Sequence, residues 1–105
     1  MAHTRRPELV HPQASEIAVI PVLHALADPT RLAIVRALVE GGERACGTFD
    51  VDVAPSTLSH HFRVLREAGV ILQREDGNRR WTALRHGDLA ARCPGLLDAV
   101  LGACS

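Results

Sequence analysis

Six histidines and three cysteines are the side chains of this 105-residue sequence best suited to chemistry. The densest group is His60-His61, inside STLSHHFRVLREAGV at residues 56–70. Adjacent imidazoles suggest a metal pair, a general base, or a surface that reads another molecule. On a helix successive residues turn by about 100°, so the two rings diverge and one ion cannot easily take both. Helical metal pairs use a three- or four-residue spacing instead, as in HExxH. Ser59 beside His60 offers a nucleophile and a base, but the same divergence parts them and no carboxylate is placed to orient the ring. With Leu58 as reference, Phe62 and Leu65 lie within about 40° and define a buried face, with His61 on its flank as a hydrogen-bonded residue of the buried edge. Ser56, Ser59, His60 and Arg63 gather on the opposite side, with Glu67 below. Such a stripe is either a solvated face or a row of donors and acceptors for a major groove, where hydroxyls, imidazole and guanidinium all find partners on phosphates or base edges.

The elements that must hold this stripe follow from pattern. One domain fits the length, and 47% apolar residues with two Phe, one Trp and no Tyr mean an aliphatic core that favours helices. No apolar run approaches about eighteen residues and the N-terminus lacks a secretory pattern, which predicts a cytoplasmic protein with no membrane contact. The cysteines are odd in number and widely spaced, as expected of reduced thiols. Formal charge is zero, yet it is unevenly spread. Between residues 8 and 52, Glu8, Glu16, Asp28, Glu40, Glu43, Asp50 and Asp52 face only Arg31, Arg36 and Arg44. Between 57 and 85 the balance reverses, with Arg63, Arg66, Arg74, Arg79, Arg80 and Arg85 against Glu67, Glu75 and Asp76. All twelve basic residues are arginine, a planar bidentate donor suited to phosphate.

Residues 1–14 show no period and predict a flexible arm; 15–105 form the domain. Ile17, Ile20, Leu23 and Ala27 recur at helical spacing, with Pro21 marking a kink or a start. Asp28 and Pro29 open the next helix, whose stripe is Leu32, Val35, Leu38 and Val39, with Arg31 and Arg36 on other faces, and Gly41-Gly42 close it. Residues 43–54 read as a short strand or a degenerate helix. A helix over 55–68 ends at Gly69, and a hairpin over 70–84 turns at Asp76-Gly77-Asn78. The tail is a helix broken before Pro94 and resumed over GLLDAVL.

Taken in order, ALADPTRLAIVRAL, STLSHHFRVLREAGVI and REDGNRRWTALR resemble the ArsR/SmtB family of winged helix-turn-helix repressors over roughly residues 22–85. The resemblance implies a mainly α fold with a small β-hairpin wing, dimeric through its terminal helices, that binds a double-stranded DNA operator of two-fold symmetry and is not an enzyme. It makes 55–68 the recognition helix and 70–84 the wing, with Ser56, Thr57, Ser59, His60 and Arg63 as base or phosphate readers and Arg79 and Arg80 as wing contacts. The shared dimer interface falls to Ile17, Ile20 and Leu23 from the first helix with Leu96, Leu97, Val100 and Leu101 from the last. The support preceding the recognition helix, GTFDVDVAP, is short and carries two aspartates, so an irregular segment is expected there.

Many members of the family sense metals through a Cys-x-Cys-Asp run or an Asp-x-His with a distant His pair, and neither is intact here. Cys46 stands alone and would need Cys93, Cys104 or a partner's groups to bind a soft ion. His3 and His11 could join His86 or Asp88 across a dimer to hold nickel or zinc as an effector, against the plainer reading of incidental histidines on an arm. A thiol-redox signal at Cys46 without metal is a further alternative. The rival class is a winged helix protein-interaction module, to which net neutrality lends weight. About four phosphates neutralised per subunit would give a dimer's log affinity a slope near −7 against log salt.

Overall fold

The computed structural model describes residues 9–103. After a single 3-10 turn at Ala14–Glu16 come α1 (Val19–Leu26) and α2 (Pro29–Gly41), then a two-residue strand β1 (Arg44–Ala45). A second 3-10 turn (Cys46–Thr48) and an irregular stretch lead into α3 (Pro55–Glu67), the hairpin strands β2 (Ile71–Asp76) and β3 (Arg79–Leu84), and finally α4 (His86–Arg92) and α5 (Leu96–Gly102). The expected mainly α architecture with a hairpin wing is the one observed.

Local chemistry explains these boundaries. Pro21 lies in the first turn of α1, where a missing N–H removes no intrahelical bond. Asp28 caps α2 by accepting from the Arg31 backbone N–H at 3.0 Å, with Pro29 at the first helical position. At the end of α3 the Val70 N–H donates to the Leu65 carbonyl and the Gly69 N–H to the Arg66 carbonyl, each at 3.0 Å, a Schellman closure. Gly69 takes φ +85°, and a Cβ there would stand 2.5 Å from Ile17 Cγ1, so both conformation and space require glycine. Gly77, at φ +65°, turns the hairpin so that Asp76 faces Arg79.

The sheet order is β1-β3-β2, both pairings antiparallel, which leaves β2 at one edge. Its inner face and the helices enclose a core of Val22, Ala25 and Leu26 from α1, Ile34, Val35 and Leu38 from α2, Phe62 and Leu65 from α3, Val70 and Ile71 at the wing, and Leu89 from α4. Phe49, directly after the 3-10 turn, meets Phe62 edge to face with ring centroids 5.5 Å apart.

Several sequence expectations need correction. The apolar stripe of α2 is rotated by about one position: Arg31 is buried with Ile34, Val35 and Leu38, whereas Val39 is exposed. Ile17, assigned to the dimer interface, is 2% exposed and lies in the chain's own core beneath Gly69. Residues 9–14, expected as the inner part of a flexible arm, include a docked segment. His11 Nε2 accepts from the Gln73 N–H at 2.9 Å and the Pro12 carbonyl accepts from Arg85 Nη1 at 2.7 Å. The physical reason is the edge position of β2, whose outward N–H pairs with no further strand among the described residues. Residues 43–54 contain both expected forms in miniature, since Arg44–Ala45 pairs with β3 and Cys46–Thr48 makes one 3-10 turn, but Phe49, Val51 and Val53 do not form a strand.

Candidate nucleic-acid interface

The candidate reading element is α3. Its inward residues are His61, Phe62 and Leu65, with Leu58 half-buried, while Ser56, Thr57, Ser59, His60 and Arg63 are all exposed. Ser56, Ser59, His60 and Arg63 follow helical one-face spacing, with Thr57 alongside. The helix opens on Ala54 and Pro55 and has no side-chain cap, so its first-turn N–H groups face outward without a side-chain acceptor. Among the described residues Arg63 forms no ion pair. His61 turns inward as expected: its Nδ1 accepts from Arg31 Nη1 at 3.1 Å, and its ring lies 5.9 Å from that of His60.

The hairpin register separates two arginines that adjoin in sequence. Arg80 lies opposite Glu75 and Arg79 opposite Asp76, so their side chains leave opposite faces of the sheet. Arg80 shares the α3-facing side with Gln73 and Thr82 and donates to Glu75 at 3.2 Å. Arg74, on the other side, bonds both carboxylate oxygens of Glu43 and lies over the Trp81 ring at 5.8 Å. The Glu43 carboxylate beside Arg74 holds its guanidinium pKa above the ordinary value.

Beneath this surface lies a polar network that sequence reasoning missed. Gln73 is 3% exposed; its Oε1 accepts from Arg66 Nη1 at 2.7 Å, and its Nε2 donates to Thr82 Oγ1 at 3.1 Å and Cys46 Sγ at 3.3 Å. The network ties α3, both wing strands and the 3-10 support together. Burial pushes the Arg66 pKa below its ordinary value, with Arg80 and Arg63 adding repulsion. Arg66 therefore serves the interior, although by sequence it counted toward the basic segment. The signal available was Gln73 at an inward strand position between Ile71 and the hairpin tip.

Of the residues expected to bind metal, His11, Cys46, His86 and Asp88 lie among the described residues. Among the described residues no three His, Cys, Asp or Glu side chains come together as a metal site. His11 Nε2 is occupied by the Gln73 N–H, Asp88 accepts from Arg85 at 3.1 Å, and Cys46 bonds Gln73 and Thr82. His86 is exposed at the start of α4. His3 lies outside the described residues, as does Cys104. Burial, followed by the nearby Arg66 and Arg85 cations, lowers the pKa of His11 from 6.5.

Residues 26–74 match the model of a helix-turn-helix domain. A transcriptional regulator of helix-turn-helix type from Bacillus subtilis, YceK, is 37% identical over 75% of this chain and 82% of its own length. A solved structure of an ArsR family transcriptional regulator superimposes with a TM-score of 0.64 at 27% identity, covering 70% of this chain and 81% of that one. This chain belongs to the ArsR/SmtB family of winged helix-turn-helix regulators. The transcriptional repressor BigR from Xylella fastidiosa is also similar, with a TM-score of 0.63 and 27% identity over 83% of this chain and 88% of that one. ArsR/SmtB regulators bind DNA operators and are not enzymes. Among the described residues no helix is long and apolar enough to cross a membrane.

Proposed function

We propose that this chain is a cytoplasmic homodimeric repressor that lays α3 in the major groove of a two-fold symmetric operator and sets its wing on the flanking backbone. The observation that carries the reading is the exposed row on α3, in which Ser56, Ser59, His60 and Arg63 stand outward over buried Phe62 and Leu65. A helix of this width fits the major groove, the uncapped first turn offers N–H groups to a phosphate, and Arg63 and His60 reach base edges. Arg79, at the hairpin end, is the wing cation without an ion pair among the described residues. A second copy supplies the dimer. Val19, Ile20 and Leu23 of α1 are exposed at 47%, 71% and 39%, and Leu96, Leu97, Val100 and Leu101 of α5 are only partly buried. Together these faces would hold two reading helices about one DNA turn, roughly 34 Å, apart. The test is selection of bound duplexes from genomic DNA, followed by gel retention with His60→Ala and Arg63→Ala. Recovery of a palindromic site that both substitutions weaken supports the reading. Unchanged retention would favour a protein-binding winged helix.

A further inference from the structure

We infer that Arg31 and His61 are positioning residues for the reading helix: a buried guanidinium clamps α3 to the C-terminal end of α1 and so fixes the face that α3 presents. The inference rests on the proposed role of α3 in the groove and deepens it. Both residues are 8% exposed. Arg31 Nε donates to the Ala25 carbonyl at 2.7 Å and Nη2 to the His24 carbonyl at 3.2 Å, where α1 ends and its dipole is negative. The remaining arm, Nη1, donates to His61 Nδ1 at 3.1 Å. Asp28 completes the arrangement: its Oδ2 accepts the Arg31 backbone N–H at 3.0 Å and stands 3.8 Å from the same His61 nitrogen. Guanidinium has donors only, so His61 Nδ1 must present its lone pair and the ring proton must sit on Nε2.

The rest of the contact between α3 and the first two helices is aliphatic and aromatic packing, which is not directional. Packing of that kind sets the distance between helices better than the rotation of one about its own axis. The fork of Arg31 is directional, and it grips the residue next to His60 in the reading row. Loss of the clamp therefore degrades the match between the exposed row and base edges, whereas attraction to phosphates, which depends on charge, is spared. Because the other end of the fork holds α1, whose opposite face carries exposed Ile20 and Leu23, the clamp also couples the proposed dimer helix to the reading helix.

The test uses the full chain and two duplexes of equal length: the one that wild type retains most tightly from a random pool, and a shuffled version of it, each read by fluorescence anisotropy. His61→Leu leaves the Arg31 Nη1 donor without its acceptor, Arg31→Lys offers one ammonium for three acceptors, and His61→Asn keeps an acceptor near the position of Nδ1. His61→Leu and Arg31→Lys are expected to weaken the selected duplex by about tenfold or more and the shuffled one by less than about twofold. His61→Asn should stay within about threefold of wild type on both, a rescue that loss of packing alone would not show. Parallel losses on both duplexes, no loss on either, or His61→Asn behaving as His61→Leu would overturn the positioning role. Arg63→Ala separates the two levels: if it leaves the selected duplex unaffected, the groove reading fails and takes the clamp with it. If it weakens binding while His61→Leu does not, only the clamp fails. Should the variants not fold, nitrogen-detected NMR of the wild-type imidazoles decides, with the Nε2–H tautomer expected for His61 and the Nδ1–H form refuting the geometry.

Discussion

Salt dependence offers the sharpest check on the proposed interface, because each arginine that neutralises a phosphate releases counterions in proportion. Sequence counting predicts a slope near −7 for a dimer, but the structure commits several of the cations elsewhere. Arg66 is bonded inward to Gln73, Arg74 to Glu43, and Arg80 to Glu75. Arg63 and Arg79 remain without ion pairs among the described residues, two per subunit and so four per dimer. At roughly −0.9 per phosphate the slope becomes about −3.6, a loss of roughly a hundredfold in affinity between 50 and 200 mM salt. Arg63→Ala or Arg79→Ala should each shallow it by about 1.8, whereas Arg80→Ala should change it by less than about 0.5, since Glu75 already balances that charge. Anisotropy titrations of a selected duplex over this salt range give all four slopes. An Arg80→Ala effect as large as that of Arg63→Ala would refute the assignment of free and committed cations.

Three further outcomes follow from the packing. Gly69→Ala combines left-handed backbone strain of about 1–2 kcal/mol with overpacking against Ile17 of about 1–3 kcal/mol, whereas Gly77→Ala, at φ +65° with open space around it, meets strain alone. Urea unfolding midpoints that fall equally for the two variants would contradict the close approach of Ile17. His11 has a folded-state pKa below its ordinary 6.5, so the folded chain disfavours its protonation. Stability from this group is intact above pH 6.5 and is lost as the pH falls from there through the lower folded value, and His11→Gln should remove that part of the pH dependence of the urea midpoint. Ile20→Asp, at a position 71% exposed, should leave monomer stability within about 0.5 kcal/mol while dissociating the proposed dimer in sedimentation. A persistent dimer would move the interface off α1.

How far these features are legible in the sequence depends on whether one residue's chemistry or a distant partner decides them. Asp28-Pro29, Gly69 and Gly77 each dictate a local geometry, and all are found where their chemistry places them. The outward row of α3 follows from period alone, because Leu58, Phe62 and Leu65 leave one face for the core. Arg31 defeats the same logic: its side chain is buried because carbonyls of α1 and the ring of His61, thirty residues away, supply acceptors that no local pattern reveals. Arg79 and Arg80 look equivalent until strand alternation separates them and Glu75 claims one. The docking of His11 on Gln73 is equally invisible, since it depends on which strand becomes the sheet edge.

Net neutrality, which in sequence argues against a nucleic-acid partner, acquires a different meaning once the pairs are known. Glu43, Glu75 and Asp88 are bonded to Arg74, Arg80 and Arg85, so much of the basic segment is used to fix the wing and its junction with α4. A face with few uncommitted cations gains little from unspecific phosphate attraction. On the proposed reading, discrimination would then come from donors and acceptors presented at the right angle, which on α3 means hydroxyls, one imidazole and one guanidinium. That division of labour would give a buried arginine that never reaches the surface a part in recognition: with charge contributing modestly, the inferred hold of Arg31 and His61 on the rotation of α3 would decide how well the row on its outer face meets the bases.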